Sequence, residues 1–488
     1  MTGPTGRRGP TGRSGPTGTE VALIGLDLGT TRVKALLVGL DGRELGQAER
    51  PTRWQVDDDG TRADPLQLAA VGVDVTVEVS ALAARLGTRV AGVGVTGMGE
   101  AGVLVDRVNR PLAPVIAWHD PRGDHARIES ELGRATFERG TGMPLDAQPS
   151  ISKILWLQRT HPGADRAIRF HSVPEWVLLA LGGEPVSELS LASRTGLLGL
   201  ADARPWRPAS ELVGGSLLAE LILAGQPAGH AGAGPGLPGL PQHLPADLPA
   251  ALAGATLTVG GHDHQTASLA VGAARDGALL DSFGTAEALL RCVRAPLDPA
   301  VVGRLAGHGV SIGWSVVPGH HTVLLGLLAG LTLERLARLL GVTDRDGRRN
   351  LGLAAVRASP TGRRVLREID GQTYLGPLVE GLTPAEVWAA AVDQLADSAG
   401  RAIGMIEAEV GVHRDVVLAG GWMRNPAVLA AKRTRYGGSA SADAAVTEAG
   451  AVGAAYLSGV AAGLLPRPAV DGLPQWNQTA GPREASQT

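Results

Sequence analysis

Cysteine is nearly absent from this chain: Cys292 is the only one in 488 residues. A lone thiol excludes an intrachain disulfide and fits a reducing compartment. No Cys or His stands at zinc-ligand spacing from it, so Cys292 reads as a small buried apolar side chain. Lysine is almost as scarce, occurring only at Lys34, Lys153 and Lys432, with arginine at nearly every other basic position. Excess charge is missing too. The 45 Lys+Arg and 48 Asp+Glu leave a formal net charge of −3, which offers no electrostatic case for nucleic acid or an anionic membrane as partner. Long hydrophobic runs are also lacking: the longest, Val323 to Leu333, is interrupted by glycine and too short to span a bilayer. The first apolar run begins only at Val21 and is brief, so no signal peptide is expected. Together these absences give the expectation of a soluble, cytoplasmic protein.

What is present points to a globular α/β chain. A hydrophobic fraction of 44% is ample for cores, and 488 residues exceed what one core serves, so two domains, or three, are expected. Gly3, Gly6, Gly9, Gly12, Gly15 and Gly18 recur every third residue, the collagen period, but too briefly for a triple helix; residues 1–19 read as a disordered tail. A second biased stretch, Ala224 to Ala250, reads as a surface connection near a domain boundary. Residues from about 466 onward read as a loose tail. Between these, buried-strand patterns such as Val90–Val95 and Val416–Ala419 alternate with amphipathic helices, the longest Pro384–Val410 behind a Thr383 cap.

Four constellations carry chemistry. Val21–Leu26 and Ala35–Val38 flank Asp27-Leu28-Gly29-Thr30-Thr31-Arg32-Val33-Lys34, a hairpin whose tip offers N–H and hydroxyl donors to phosphate oxygens. Asp27 suits a hydrated Mg²⁺; the plainer reading is a turn that bonds its own backbone. Strand Thr256–Val259 leads into Gly260-Gly261-His262-Asp263-His264-Gln265, which puts Asp263 at the mouth of a cleft as a general base or as the N-cap of the following helix. His262 and His264 as a metal pair is a weaker alternative, with no third ligand nearby. Leu279–Leu290 repeats the first theme around Gly284-Thr285, and this echo suggests a duplicated architecture with a phosphate chain between the halves. Finally, Gly420-Gly421 after a buried strand, with Asn425 beyond, gives a turn on which a flat base can lie, or an ordinary strand-to-helix turn.

In this order, and with Asp64-Pro65, Trp118-His119-Asp120-Pro121-Arg122, Lys153–Leu157, Ser190–Leu198 and Glu448–Ala455 between and after them, the chain resembles the FGGY family of carbohydrate kinases from about Glu20 to Leu465. The resemblance implies two ribonuclease H-like domains of the actin/hexokinase type around a central ATP and sugar cleft. They are expected at 20–258, holding the sugar site and first phosphate loop, and at 259–465, holding the second phosphate loop and adenosine site. It also implies ATP and Mg²⁺ as cofactors and a small sugar or polyol, favouring a xylulose-like ketose, as acceptor; a homodimer is the oligomeric expectation. By position, Asp263 is the base. Asp27 (Mg²⁺ through water), Gly29, Thr30, Thr31, Lys34, Gly284 and Thr285 hold phosphates, and Gly420, Gly421 and Asn425 form the adenosine wall. Met98, Gly99, Glu100, Asp263 and His264 meet the acceptor.

The chain departs from the family pattern in two places. The sugar loop reads Gly97-Met98-Gly99-Glu100 where xylulose kinases carry Met-His and glycerol kinases Arg-Glu; Glu100 matches the glycerol-type acid in position, and with Gly99 before it is expected to lack an arginine partner. The segments around residues 363–377 and 390–395 are also altered, which bears on domain closure. A catalytically silent sugar- or nucleotide-binding relative is the alternative reading, and an unrelated metal hydrolase using His262 and His264 a distant third.

Overall fold

The structure, a computed structural model, describes residues 20–58, 60–234, 236–240, 249–358, 361–369, 372–376, 381–437, 440–442 and 448–468. The N-terminal tail expected at 1–19 and all but the first residues of the C-terminal one lie outside these.

Two mixed sheets carry the chain. In the first, strands run in the order Thr256–His262, Thr88–Gly97, Glu20–Leu28, Arg32–Gly39, Glu44–Pro51. The first three are mutually parallel and the last two return as antiparallel hairpins. In the second, Ala440–Ala442, Asp415–Ala419 and Ala278–Phe283 are parallel, and Glu287–Arg294, His320–Leu327 and Ser311–Trp314 continue antiparallel. The same strand logic thus occurs twice, and in each sheet the hairpin with a Gly-Thr tip lies at the centre. The duplication inferred from the two Gly-Thr turns is built into the topology.

Small residues decide what covers the first sheet. Helix Ala449–Ala461 lies across it, and a Cβ on Gly25 would fall 1.7 Å from the Ala451 carbonyl oxygen, one on Gly94 2.0 Å from that of Ala454. No side chain fits there, so the helix backbone sits directly on the strands. On the other face lies helix Pro65–Arg85, capped by Asp64, whose carboxylate accepts from the backbone N–H groups of Leu66 and Gln67 at 2.8 and 3.0 Å. With 21 residues and mean hydropathy 1.5 over its most apolar window, this helix is long and apolar enough by composition to cross a membrane. Gln67, Asp74 and Glu78 punctuate it, so it forms no uninterrupted apolar run in the sequence. Here it is a core helix, with Val71, Val75 and Val79 buried at four-residue spacing.

The biased stretch after Ala224 is more than a surface connection. Ala228, Ala231 and Leu237 are buried, and Ala228 and Leu257 bond across to the strand at 256–262 (Ala228 N to Leu257 O, 2.8 Å; Leu257 N to Gly229 O, 2.9 Å). Glycine and proline rule out a helix there but leave an extended segment free to pair along a sheet edge. The division expected between residues 258 and 259 falls inside strand Thr256–His262, and helix Ala449–Ala461, late in the chain, packs on the first sheet.

In the second half, helix Pro384–Val410 opens with a reciprocal capping box between Thr383 and Glu386. The altered segment within it has its own use. Gln394 accepts from the N–H groups of Val365 and Leu366 (2.7 and 2.9 Å) and donates to the Leu366 carbonyl (3.1 Å), tying strand Leu366–Ile369 to the helix.

Candidate active site

The first hairpin sets Asp27 directly across from Lys34. Only Gly29, Thr30 and Thr31 separate its strands, and the Gly29 N–H closes the turn on the Arg32 carbonyl at 3.1 Å. Two indoles hold the tip: Trp54 donates to the Thr30 carbonyl (2.7 Å) and Trp118 to the Thr30 hydroxyl oxygen (2.8 Å). The Thr30 hydroxyl proton and the exposed Thr31 side chain remain available to a ligand. Lys34 is less free than its scarcity suggests, because its ammonium bonds Glu448 at 2.6 Å. Asp27 keeps one buried oxygen, Oδ1, without a hydrogen-bond partner. Its carboxyl is pushed up to about 7, by burial first and then by Asp263, with Lys34 opposing and Glu448 adding. An orphaned carboxylate oxygen beside a phosphate-type loop fits a hard, hydrated divalent cation.

An acceptor-sized cavity of about 340 Å³ opens beside this tip and is lined by Thr30, Met98, Glu100, Arg194, Asp263 and His264 among others. Here the structure corrects the sequence: Glu100 does have an arginine partner, drawn from elsewhere. Arg194 donates to Glu100 Oε1 through Nε (2.7 Å) and Nη2, and through Nη1 to Ser311 of the second sheet (2.5 Å). Both partners are buried, so each needs the other. Gly99 makes the room, since a Cβ there would lie 2.9 Å from Arg194 Cγ and 2.9 Å from His262 Cδ2. Glu100 itself sits at φ 60, and Ser150 Oγ donates to its carbonyl at 2.8 Å.

Asp263 is the first residue of helix Asp263–Ala270; the N-cap position belongs to His262, not to Asp263. Its Oδ1 accepts from the His264 N–H at 2.6 Å, and its side chain is 27% exposed, enough to meet a ligand. The metal-pair reading of His262 and His264 gains nothing, because among the described residues no group of three or more His, Cys, Asp or Glu side chains could hold a metal ion.

A second cavity of about 670 Å³ runs from Gly284 and Thr285 to Gly421, Trp422 and Asn425. Gly420 has φ 96, and a Cβ there would come 2.5 Å from the Phe283 carbonyl carbon, so the wall forms only with glycine. Asn425 caps helix Pro426–Tyr436 by accepting from the Ala427 and Val428 N–H groups (3.1 and 3.4 Å) and donates to the Arg348 carbonyl (2.8 Å). Its amide therefore shapes the wall and is already bonded within the chain. Sequence reasoning passed over Arg345, Arg348, Arg349 and Arg424, which line the same cavity, with Arg348 5.8 Å from the Trp422 ring centre. It also passed over a buried cluster beneath the second loop, where Lys432 bonds Asp281 (2.8 Å) and Glu287. The scarcity of lysine was its signal: all three lysines are tied down, Lys153 by the carbonyls of Ala147 and Gln148 (2.5 and 3.3 Å).

Residues 22–212 match the N-terminal domain of the FGGY family of carbohydrate kinases. A glycerol kinase of Aromatoleum aromaticum is 33% identical over 190 residues, a match that spans 36% of this chain and 38% of that protein. One from Chromobacterium violaceum is 26% identical over 487 residues, covering 91% of this chain and 90% of its own. Among solved structures, xylulose kinase from Rhodospirillum rubrum has a TM-score of 0.75 at 22% identity, covering 90% of each chain. Plasmodium falciparum glycerol kinase with ADP has a TM-score of 0.79 at 14% identity, covering 92% of this chain and 90% of its own. Residues 22–212 are thus similar to the N-terminal domain of FGGY carbohydrate kinases, the chain spans under two-fifths of the length of the glycerol kinases it matches at 30% identity or more, and over nine-tenths of its length it shares the two-domain, actin/hexokinase-like α/β fold of the solved kinases.

Proposed function

We propose that this protein transfers the terminal phosphoryl group of ATP to a hydroxyl of a small sugar or polyol. The observation that carries the reading is the convergence of three parts: a partly exposed carboxylate, Asp263, lining the smaller cavity; the Thr30 loop at that cavity's edge; and the Gly284-Thr285 loop leading to a larger cavity. Phosphoryl transfer asks for little covalent help and much positioning, which such an arrangement supplies. The relatives named above are glycerol and xylulose kinases, consistent with a polyhydroxylated acceptor.

In this account the acceptor hydroxyl lies on Asp263. Its oxygen forms the new P–O bond as the β,γ-bridging P–O bond breaks, and its proton passes to the carboxylate. Asp263 Oδ1 is held by the His264 N–H, which leaves Oδ2 for the proton. Thr30, Thr31 and Thr285 donate to phosphate oxygens, while Gly29 and Gly284, whose N–H groups close their turns on the Arg32 and Ala286 carbonyls (3.1 and 2.9 Å), let the phosphates approach the backbone closely. Asp27 is the residue placed to hold Mg²⁺ through water, and the ion, when bound, neutralises and orders the phosphate chain. Gly420 and Gly421 form a flat wall for adenosine. Glu100, fixed by Arg194, accepts from an acceptor hydroxyl while Met98 packs the floor. The acceptor cavity, near the lower end of the ~300–1,000 Å³ of small-molecule sites, leaves room for a ketose such as xylulose as well as for a shorter polyol.

The two domains are taken as roughly 20–258 and 259–465, with the joint at the strand that ends in His262. The cytoplasm and a homodimer complete the proposal, the latter testable by light scattering. The direct test is ADP release with Mg-ATP across pentuloses, hexuloses, polyols and sugar acids. Acceptor-dependent turnover with one of the first three groups is the expected result, and nucleotide binding without turnover on any acceptor returns the silent relative.

A further inference from the structure

We propose that His262 positions the base: its imidazole Nε2–H steers the Asp263 carboxylate, and the missing side chain at Gly99 is what admits the ring. This rests on the reading of Asp263 as the base.

The ring is held from every side. The His262 N–H donates to Ser190 Oγ at 2.9 Å, and its carbonyl accepts from Thr266 Oγ1 at 3.1 Å, so the backbone carrying the ring is pinned at the end of a sheet strand. The side chain is 6% exposed and packs against the His264 ring, 5.6 Å between centres, and against the bare Cα of Gly99. Any Cβ at position 99 would meet the imidazole at 2.9 Å. Of the two ring nitrogens, Nδ1 is buried with no hydrogen-bond partner, whereas Nε2 lies 3.5 Å from Asp263 Oδ1. Only Nε2 has something to donate to, which selects the Nε2–H tautomer. At 3.5 Å the contact is just outside good hydrogen-bond length, as contacts at a catalytic base often are before the ligand arrives.

The chemistry explains why a buried histidine serves here. Asp263 Oδ1 would then be fixed by two N–H groups, from the His264 backbone and the His262 ring, with Oδ2 turned to the acceptor. A full positive charge at that spot would stabilise the carboxylate and blunt its basicity. The ring stays uncharged instead: burial above all, with Arg194 and His264 adding and Asp263 opposing, pushes it down to about 3. Gly99, read from sequence as a lost arginine, is thus the space into which both the His262 ring and the Arg194 stem fit.

Three variants of the full chain test this. His262→Leu keeps bulk and loses the N–H, His262→Gln returns an amide N–H near the Nε2 position, and Gly99→Ala drives a methyl into the ring. The expected result is a kcat lowered about 10- to 100-fold in the Leu and Ala variants, with KM for Mg-ATP little changed, and recovery of most of the loss in the Gln variant. Equal turnover in His262→Leu and His262→Gln overturns the proposal, since a packing role would not distinguish them. A second readout needs no activity: the His262 imidazole ¹⁵N resonances, identified by their loss in His262→Gln, should move at Nε2 in Asp263→Asn. Unmoved resonances overturn the contact. A wild-type protein silent towards every acceptor would overturn the kinase reading instead, while the imidazole shift would still decide this one.

Discussion

Removing the guanidinium of Arg194 is the perturbation whose size the structure sets most clearly. Arg194 and Glu100 have side-chain exposures of only 7% and 4%, and two guanidinium nitrogens reach the same carboxylate oxygen. Arg194→Met keeps the stem that packs beside Gly99 and strands Glu100 as a buried, unpaired charge. Breaking one side of such a pair costs about 3–5 kcal/mol, because the surviving ion has lost both water and partner. Glu100 has a further burden, since its left-handed backbone at φ 60 is a conformation that costs about 1–3 kcal/mol and needs surrounding contacts to persist. Adding Glu100→Gln should recover much of the loss, for the double variant leaves no buried charge. The assay is thermal and urea unfolding of the two single variants and the double, followed by a tryptophan signal. Two domains mean that the first transition, not a global fit, is the quantity to compare. The acceptor KM should rise in all three while nucleotide affinity holds. A loss below about 1 kcal/mol for Arg194→Met, the level of an exposed pair, together with strict additivity, would refute the claim that the pair is buried and mutually dependent.

Other consequences follow from the same geometry. Asp27, pushed up to about 7, takes up a proton as pH falls through that value, so Mg-ATP affinity should weaken from pH 8 to pH 6 and Asp27→Asn should remove that dependence; calorimetric titration at several pH values checks it. Buried Glu188 is raised from 4.5 to about 7, chiefly by burial, so its neutral form favours the fold below about 4.5 and that contribution is lost as pH rises through about 7. Wild type should therefore lose urea resistance relative to Glu188→Gln between pH 5 and pH 8, and a pH-independent gap would contradict the assignment. Gly420→Ala, with its methyl 2.5 Å from the Phe283 carbonyl carbon, should weaken nucleotide binding and lower the melting temperature while acceptor binding stays close to wild type.

Much of this was legible in the sequence because local patterns fix it. Apolar runs around Gly-Thr tips can form little but hairpins, and Thr383 with Glu386 announces the long helix that follows. The Asp263 neighbourhood was legible as strand, turn and helix, though not which residue would cap. What escaped depends on distant residues meeting. Nothing near Gly99 says that an arginine 95 positions later fills its place, because the two are joined only by the fold. The clamp of Gln394 on Val365 and Leu366 reads in sequence as the loss of a motif, and in space it is a new fastening. The Pro- and Gly-rich stretch after Ala224 was misread because composition excludes helix without excluding an extended edge. The boundary at 258/259 passes through a strand because sequence shows where patterns change and not which sheet a strand joins.

The most direct test of the central claim is the pre-steady-state rate of sugar or polyol phosphate formation in Asp263→Asn, with Mg-ATP and the best acceptor from the panel. Asparagine keeps the shape and a carbonyl-type oxygen for the His264 N–H but has no basicity. Positioned base catalysis contributes about 10²–10⁴-fold. The account predicts a fall of that order in the chemical step, with nucleotide and acceptor still bound at near wild-type affinity. A chemical step that proceeds at the wild-type rate would place the base elsewhere and contradict it.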